Sequence, residues 1–190
     1  MAIDSYTCFQ PYTGSPLSAE SQVDMSKNTE ELASDLKGFA SAQQLFEVED
    51  FSFDIEQVLN IGSQSRGLGA GKVTFNPFSI TRKIDKASPI LFDMACSGTA
   101  FKQVTLALRK SAGGMTSGIV FLRFDFKLVG VKTISWSHDD ESPKETVTFA
   151  YGGILIRYCQ QNPDGTLNTS IPGGWNMIKN VQDHTTTPLS

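Results

Sequence analysis

With 190 residues, 39% of them hydrophobic and 19% charged, the chain suits one folded domain with room for a substantial core. The 16 Lys and Arg against 20 Asp and Glu leave a net charge of −4, which argues against sequence-independent nucleic-acid binding, since that relies on a basic surface. No apolar run approaches the roughly 20 residues of a membrane helix, and the opening MAIDSYTCFQ has no basic segment followed by an apolar one, so no secretory signal is read there.

Ile3 to Gln10 is the first strand candidate. Gly14, Ser15 and Pro16 then open a polar stretch that runs to about Gln44. Within it, Asn28 and Glu31 have the spacing of a capping box, and Leu32, Leu36 and Phe39 recur at i, i+4 and i+7. The spacing predicts a short amphipathic helix over 29–38, with an irregular polar loop as the alternative. From Phe46 the pattern turns to strands. Phe51, Phe53 and Ile55 alternate with Asp50, Ser52, Asp54 and Glu56, the period of a strand with one dry and one wet face. The Gly- and Ser-rich IGSQSRGLGAG follows as a flexible loop. Val73 and Phe75 resume the alternation, which shifts phase to Phe78 and Ile80 across Asn76-Pro77, as at a bulge or strand edge.

KIDKASPILFDMACSG carries a helix start and stop amid strands. Ser88 suits the N-cap and Pro89 the first helical position, where its missing N–H would be unpaired anyway. Leu91, Met94 and Ala95 form an apolar stripe, and Gly98 fits a left-handed stop. So short a helix must be held against a sheet. Strands then dominate. Val104, Leu106 and Leu108 alternate, SAGGMTSG turns, and Val120, Leu122, Phe124, Phe126 and Leu128 share one face. SWSHDDESPKE reads as an acidic hairpin loop. Val147, Phe149 and Tyr151 alternate, the phase slips at Gly152-Gly153, and Ile154, Ile156 and Tyr158 continue. The remainder holds a Pro-Asp-Gly turn, a strand near Trp175 and a polar end expected to be mobile. The elements predict a mainly β fold, a barrel or tightly curled sandwich with one flanking helix.

Catalytic chemistry is hard to find. GLGAGK at 67–72 fails as a phosphate loop: Arg66 stands where the first Gly belongs, Val73 replaces Ser or Thr, and a strand follows where a helix N-terminus is needed. His138-Asp139-Asp140-Glu141 has donors suited to a metal but reads as a solvated acidic turn. Neither a Ser-His-Asp nor a Cys-His arrangement can be argued from two histidines and three distant cysteines. Cys8, Cys96 and Cys159 read as reduced thiols of a chain made in the cytoplasm, with Cys96 a small buried hydrophobe. No catalytic residue, cofactor or metal is assigned.

GAGKVTFNPFSITRKIDKASPILFDMACSG, from Gly69 to Gly98, resembles the signature region of Hcp, the haemolysin-coregulated protein family of bacterial type VI secretion. VTLALRKSAGG, ETVTFAYGGILIRYCQQNPDG and GGWNMIKNVQ resemble later family segments in the correct order. The likeness spans about 46–183 plus the first strand. It departs at 15–44, which is longer than the usual first loop, and at DFSF, which replaces a W-S-W-like pattern. The resemblance implies one Hcp-like domain over 1–190: a compact two-sheet β-barrel with a flanking helix, an extended loop or short helical insertion at 15–44, and a flexible tail at 184–190. It implies hexameric rings stacked into a tube that a contracting sheath expels behind a spike, with effector proteins in the lumen. Export without a signal peptide, to the extracellular space or a target cell, is also implied. By that likeness Asp50, Ser52, Asp54 and Glu56 face the lumen; by period alone they are the outside of a half-exposed sheet. Gly62, Arg66, Gly67, Gly69, Gly71 and Lys72 are the candidate ring-to-ring loop, against an idle unstructured loop. Two other classes stay open: a monomeric barrel holding a small apolar ligand, and a hydrolase whose site is not visible.

Overall fold

The computed structural model describes residues 3–60, 69–70, 73–110, 118–138 and 142–189. Its elements in chain order are β1 (Ile3–Pro11), a 3₁₀ turn (Glu31–Ala33), α1 (Leu36–Ser41), β2 (Phe46–Val48), β3 (Asp50–Ser52), β4 (Ile55–Glu56), β5 (Leu59–Asn60), β6 (Gly69–Ala70), β7 (Thr74–Phe75) and β8 (Phe78–Lys83). There follow α2 (Ser88–Ser97), β9 (Ala100–Lys110), β10 (Ile119–His138), β11 (Pro143–Tyr158), β12 (Ile171–Asn176) and β13 (Val181–Gln182). The principal sheet runs β13-β12-β11-β10-β9-β1-β2, and β8 joins the far half of β11 with β3 on its outer side.

The mainly β class is as expected, but the sheet is not closed into a barrel. β11 changes partners along one edge: β8 pairs with 144–149 and β12 with 153–158. Between them lies Gly152, where a Cβ would stand 3.2 Å from a Leu128 methyl. The two halves therefore bend over one another around a shared β10–β11 ladder instead of meeting edge to edge. The space between them is filled by Phe9, Phe46, Phe78, Phe101, Phe126 and Phe149, all fully buried. Phe78 stacks on Phe126 at 4.1 Å between centroids, and Phe9 meets Phe46 edge-on at 5.2 Å.

β10 is too long to keep one phase while it twists. Leu122, Phe124 and Phe126 face the core as expected. Leu128 does not: its φ is +50°, and Val129 takes the buried place. Lys132 is then an extra residue, since the register shifts between Val131 and Thr133, and Ile134 returns to the core side. Val120 joins a second cluster beneath the 15–44 segment.

That segment covers one side of the sheet. Met25, Leu32, Ala33 and Leu36 are buried against Tyr6, Cys8 and Cys159. The apolar spacing at Leu32 and Leu36 was legible, yet the helix expected over 29–38 is broken into the 3₁₀ turn and α1. The reason is Arg123: its Nη1 donates to the Leu32 carbonyl at 3.1 Å, which would otherwise serve the helix. Nor is there a capping box at Asn28, whose buried amide donates to the Gly118 carbonyl at 2.8 Å.

α2 begins one residue before the expected start, with Ala87 at the N-cap. The Asp85 carboxylate accepts the Ala87 N–H at 2.9 Å, while the Ser88 hydroxyl accepts the Asp85 N–H at 3.2 Å. Asp85 is no idle surface charge: it pairs at 2.9 Å with Arg82, which is 2% exposed and also pairs with fully buried Glu145 at 2.6 Å. Leu91 and Met94 are buried, as the stripe predicts, and α2 packs on β10. Cys96, by contrast, is exposed, because it lies on the side of α2 away from the sheet.

Residues 183–189 cross the outer face of the principal sheet. The buried ammonium of Lys127 donates to Asp183 at 3.1 Å and to the Thr185 carbonyl at 2.6 Å, and Tyr12 donates to the Leu189 carbonyl at 3.2 Å. Burial alone would raise the Asp183 pKa. The Thr185 N–H and hydroxyl and the Lys127 ammonium outweigh it and hold the carboxyl near 2 rather than 3.8.

Two measurements check this architecture. Gly98 closes α2 at φ +67°, with open space where a Cβ would go, so the cost of Gly98→Val is backbone strain alone. It should lower the melting temperature by about 2–8 °C, from about 1–2 kcal/mol of left-handed strain, with Gly98→Asn well below that. Because Asp183 is depressed on folding, its contribution is complete above about pH 4 and is lost as pH falls toward 2. Asp183→Asn should therefore raise hydrogen exchange over 183–189 at pH 6 while the β10–β11 ladder stays protected; equal protection in variant and parent would contradict the lock.

Candidate functional site

The half of the molecule built from β3, β8, β11 and β10 has one face in the core and one face out. Register places Ser52, Ser79, Thr148 and Thr133 in one row across the four strands, and Asp50, Thr81, Thr146 and Ser135 in the next. Lys83, Lys144 and Ser137 extend the pattern. Their neighbours along each strand, Phe51, Ile80, Val147 and Ile134, point to the core side. The outward surface is thus a continuous field of short hydroxyls edged by charge. Ser52 and Ser79 lie 2.7 Å apart through their Oγ atoms, and Thr81 and Thr146 are 3.0 Å apart through Oγ1. Such pairs stabilise cross-strand packing and leave lone pairs for water.

Asp50, Ser52, Asp54 and Glu56 are all exposed, but the alternation ends at Phe53, since Ile55, expected on the dry face, is exposed as well. Only Asp50 and Ser52 belong to the four-strand face. Asp54 lies beyond β3, where its carboxylate accepts the Asn76 side-chain amide at 2.5 Å, and Glu56 sits on β4, which pairs with β7. Ser79, Thr81, Thr133, Ser135, Thr146 and Thr148 were missed. Their signal was present as Ser and Thr at every second position of FSIT, KTISWS and ETVTF. Of the proposed ring-to-ring loop, Gly69 lies in β6, opposite Asn60 of β5. Gly62, Arg66, Gly67, Gly71 and Lys72 lie outside the described residues, as do Asp139, Asp140 and Glu141.

The hydroxyl face has two open edges. Among the described residues, β10 has no partner on its outer side beyond Gly130, and β3 pairs only with β8. The other half of the molecule is closed and charged instead. Asp125, 1% exposed, accepts from Thr105 at 2.8 Å, Gln103 at 2.9 Å and Arg157 at 2.9 Å, and Arg123 grips it from 2.9 Å. Arg123 also bridges to Asp35 of the covering segment. Burial opposes ionisation of Asp35, but the hydrogen bond and charge of Arg123 prevail and keep its carboxyl below the usual range. This cluster joins cover to sheet. Burial pushes the Cys8 thiol up to about 12, which removes it as a nucleophile near neutrality. No group of three His, Cys, Asp or Glu among the described residues converges as a metal site would require.

Comparison with known proteins agrees with the arrangement. The family described as "Type VI secretion system effector, Hcp" matches residues 37–158, well over half of the chain. Protein hcp1 of Pseudomonas aeruginosa is 31% identical over 114 residues, spanning 58% of this chain and 69% of that protein. Among solved structures, one titled as a type six secretion system protein superposes with a TM-score of 0.71 at 23% identity, covering 96% of this chain and 100% of the other. Hcp1 of Salmonella typhimurium gives 0.62 at 22% identity, again with 96% and 100% covered. The chain belongs to the Hcp family: it is a structural tube protein of type VI secretion and not an enzyme.

Proposed function

We propose that six copies of this chain close into a ring, that rings stack into the expelled tube, and that the hydroxyl face of β3, β8, β11 and β10 lines the bore. Hcp proteins are secreted type VI components that assemble as rings and tubes. The observation that carries the reading is the coincidence of a wettable face with two edges that have no strand partner among the described residues, on the same four strands. Exposed edges invite pairing with another chain, and joining one edge to a different edge of the next copy is a head-to-tail contact that closes on itself. A bore of Ser and Thr suits transported cargo: it hydrogen-bonds to water as readily as to protein and offers no apolar patch to hold a passenger fast.

In this reading effector proteins ride against Asp50, Ser52 and the hydroxyl rows, while the glycine loop including Gly62, Arg66, Gly67, Gly69, Gly71 and Lys72 reaches the next ring. The spike and the sheath are the remaining protein partners. Asp54 and Glu56 take places at the mouth, since they lie past the four-strand rows.

Ser52→Gln tests the bore. The side chain is exposed, so the variant should fold, melt within about 1–2 °C of the parent and still form rings visible by electron microscopy, since surface changes cost within about 0.5 kcal/mol. Six longer side chains in one lumen should change the yield of exported cargo in a secretion assay. Intact rings with unaltered export of every cargo would place Ser52 elsewhere.

A further inference from the structure

We infer that Phe92 of α2 and Trp136 of β10 form the apolar anchor of the contact between neighbouring copies, seated on the next copy beside its β3 edge. The inference rests on the ring reading above and adds which residues hold the ring together.

The direction of the contact follows from strand count. β3 is antiparallel to β8, β8 to β11 and β11 to β10, so β3 and β10 at the two edges run in opposite directions. Rotation about a common axis leaves strand direction unchanged. The β10 of one copy therefore meets the β3 of the next as an antiparallel neighbour, the arrangement already used within the sheet. Side-chain alternation then decides what lies on each side of the junction. If the hydroxyls of Thr133 and Ser135 continue into Asp50 and Ser52 of the next copy, the opposite face of β10 brings Ile134 and Trp136 to the side on which that copy carries Phe51 and Phe53. One junction thus joins wet surface to wet and dry to dry.

The ridge has the properties of an unoccupied anchor. Trp136 is 53% exposed and Phe92 47%, two large bare side chains that meet across the helix and its adjoining strand. The Trp136 and Phe92 rings stack with centroids 5.9 Å apart and planes 29° from parallel, so the surface is ordered in advance. The indole N–H already donates to Glu145 Oε2 at 2.9 Å, which leaves no polar group to desolvate when the ring is covered. Tryptophan is also the side chain most enriched where interface energy concentrates. The ridge flanks β10 beyond Gly130, where that strand has no partner among the described residues. Charge agrees: Lys132 is exposed on this stretch, and the edge that would meet it carries Asp50 and Asp54 and no base between Phe46 and Glu56.

The test uses full-length Phe92→Glu and Trp136→Gln. Native mass spectrometry and electron microscopy would compare ring population at matched concentration, with circular dichroism reporting the fold. Each variant should remain folded and require at least a tenfold higher concentration to populate rings. Parent-like rings in both variants would overturn the anchor while leaving the tube reading intact and the ridge open to a different protein. A parent that stays monomeric at every concentration would remove both. A second measurement serves if a variant unfolds: in a Trp175→Phe background Trp136 is the sole tryptophan, and acrylamide quenching of its fluorescence should fall as dilute monomers assemble. Unchanged quenching in assembled rings would overturn the proposal.

Discussion

The ladder between β10 and β11 is the constraint on which the rest of the molecule depends. It pairs His138 with Pro143 at one end and Leu122 with Tyr158 at the other, further than most single sheets extend. Backbone twist prevents both ends from presenting the same faces to the same surroundings. The chain accommodates this with the turned Leu128, the extra Lys132 and the bare Gly152 beside them. Each half of the ladder then acquires its own neighbours. The Phe cluster caught between the halves holds them together, at about 1.5–3 kcal/mol for each fully buried ring.

The two outward faces solve different problems with different chemistry. Where the sheet carries the 15–44 cover and the final segment, it uses charge: Asp125 collects donors from three strands, and Arg123 reaches across to Asp35 and Leu32. Breaking such a buried set costs about 3–5 kcal/mol because it strands an unpaired charge, and this favours one seating of the cover over nearby slipped ones. On the other half the side chains are mostly short hydroxyls, with Ser52 bonded to Ser79 and Thr81 to Thr146, and Asp50, Lys83 and Lys144 at their margin. A surface of that kind is satisfied by water. It neither collapses nor captures.

What could be read from sequence is what depends on near neighbours. Alternation over 50–53 puts Ser52 on the exposed side, and the placement of Pro89 and Gly98 locates α2 to within a residue. The same reasoning failed where a distant group intervened. No local rule announces that Arg123 will take the Leu32 carbonyl and split a helix, or that Phe126 and Val129, three apart in one strand, will both be buried. Cys96 was misjudged because a thiol on a short helix looks like packing until one knows which side of the helix the sheet occupies. The hydroxyl rows escaped notice for a related reason: Ser and Thr at alternate positions look like filler in each strand and become a surface only when register aligns four strands.

The position of Cys96 has a practical consequence. Thiol-directed reagents attack the thiolate, and Cys8 is held protonated to about pH 12 while Cys159 is buried and also shifted upward. One reactive sulfur remains among three, on the side of α2 that faces solvent. A maleimide dye applied to the dissociated, unaltered protein would mark every subunit once, one helical turn from Phe92. With Phe92 at the contact between copies, such a label reports ring closure without any engineered tag.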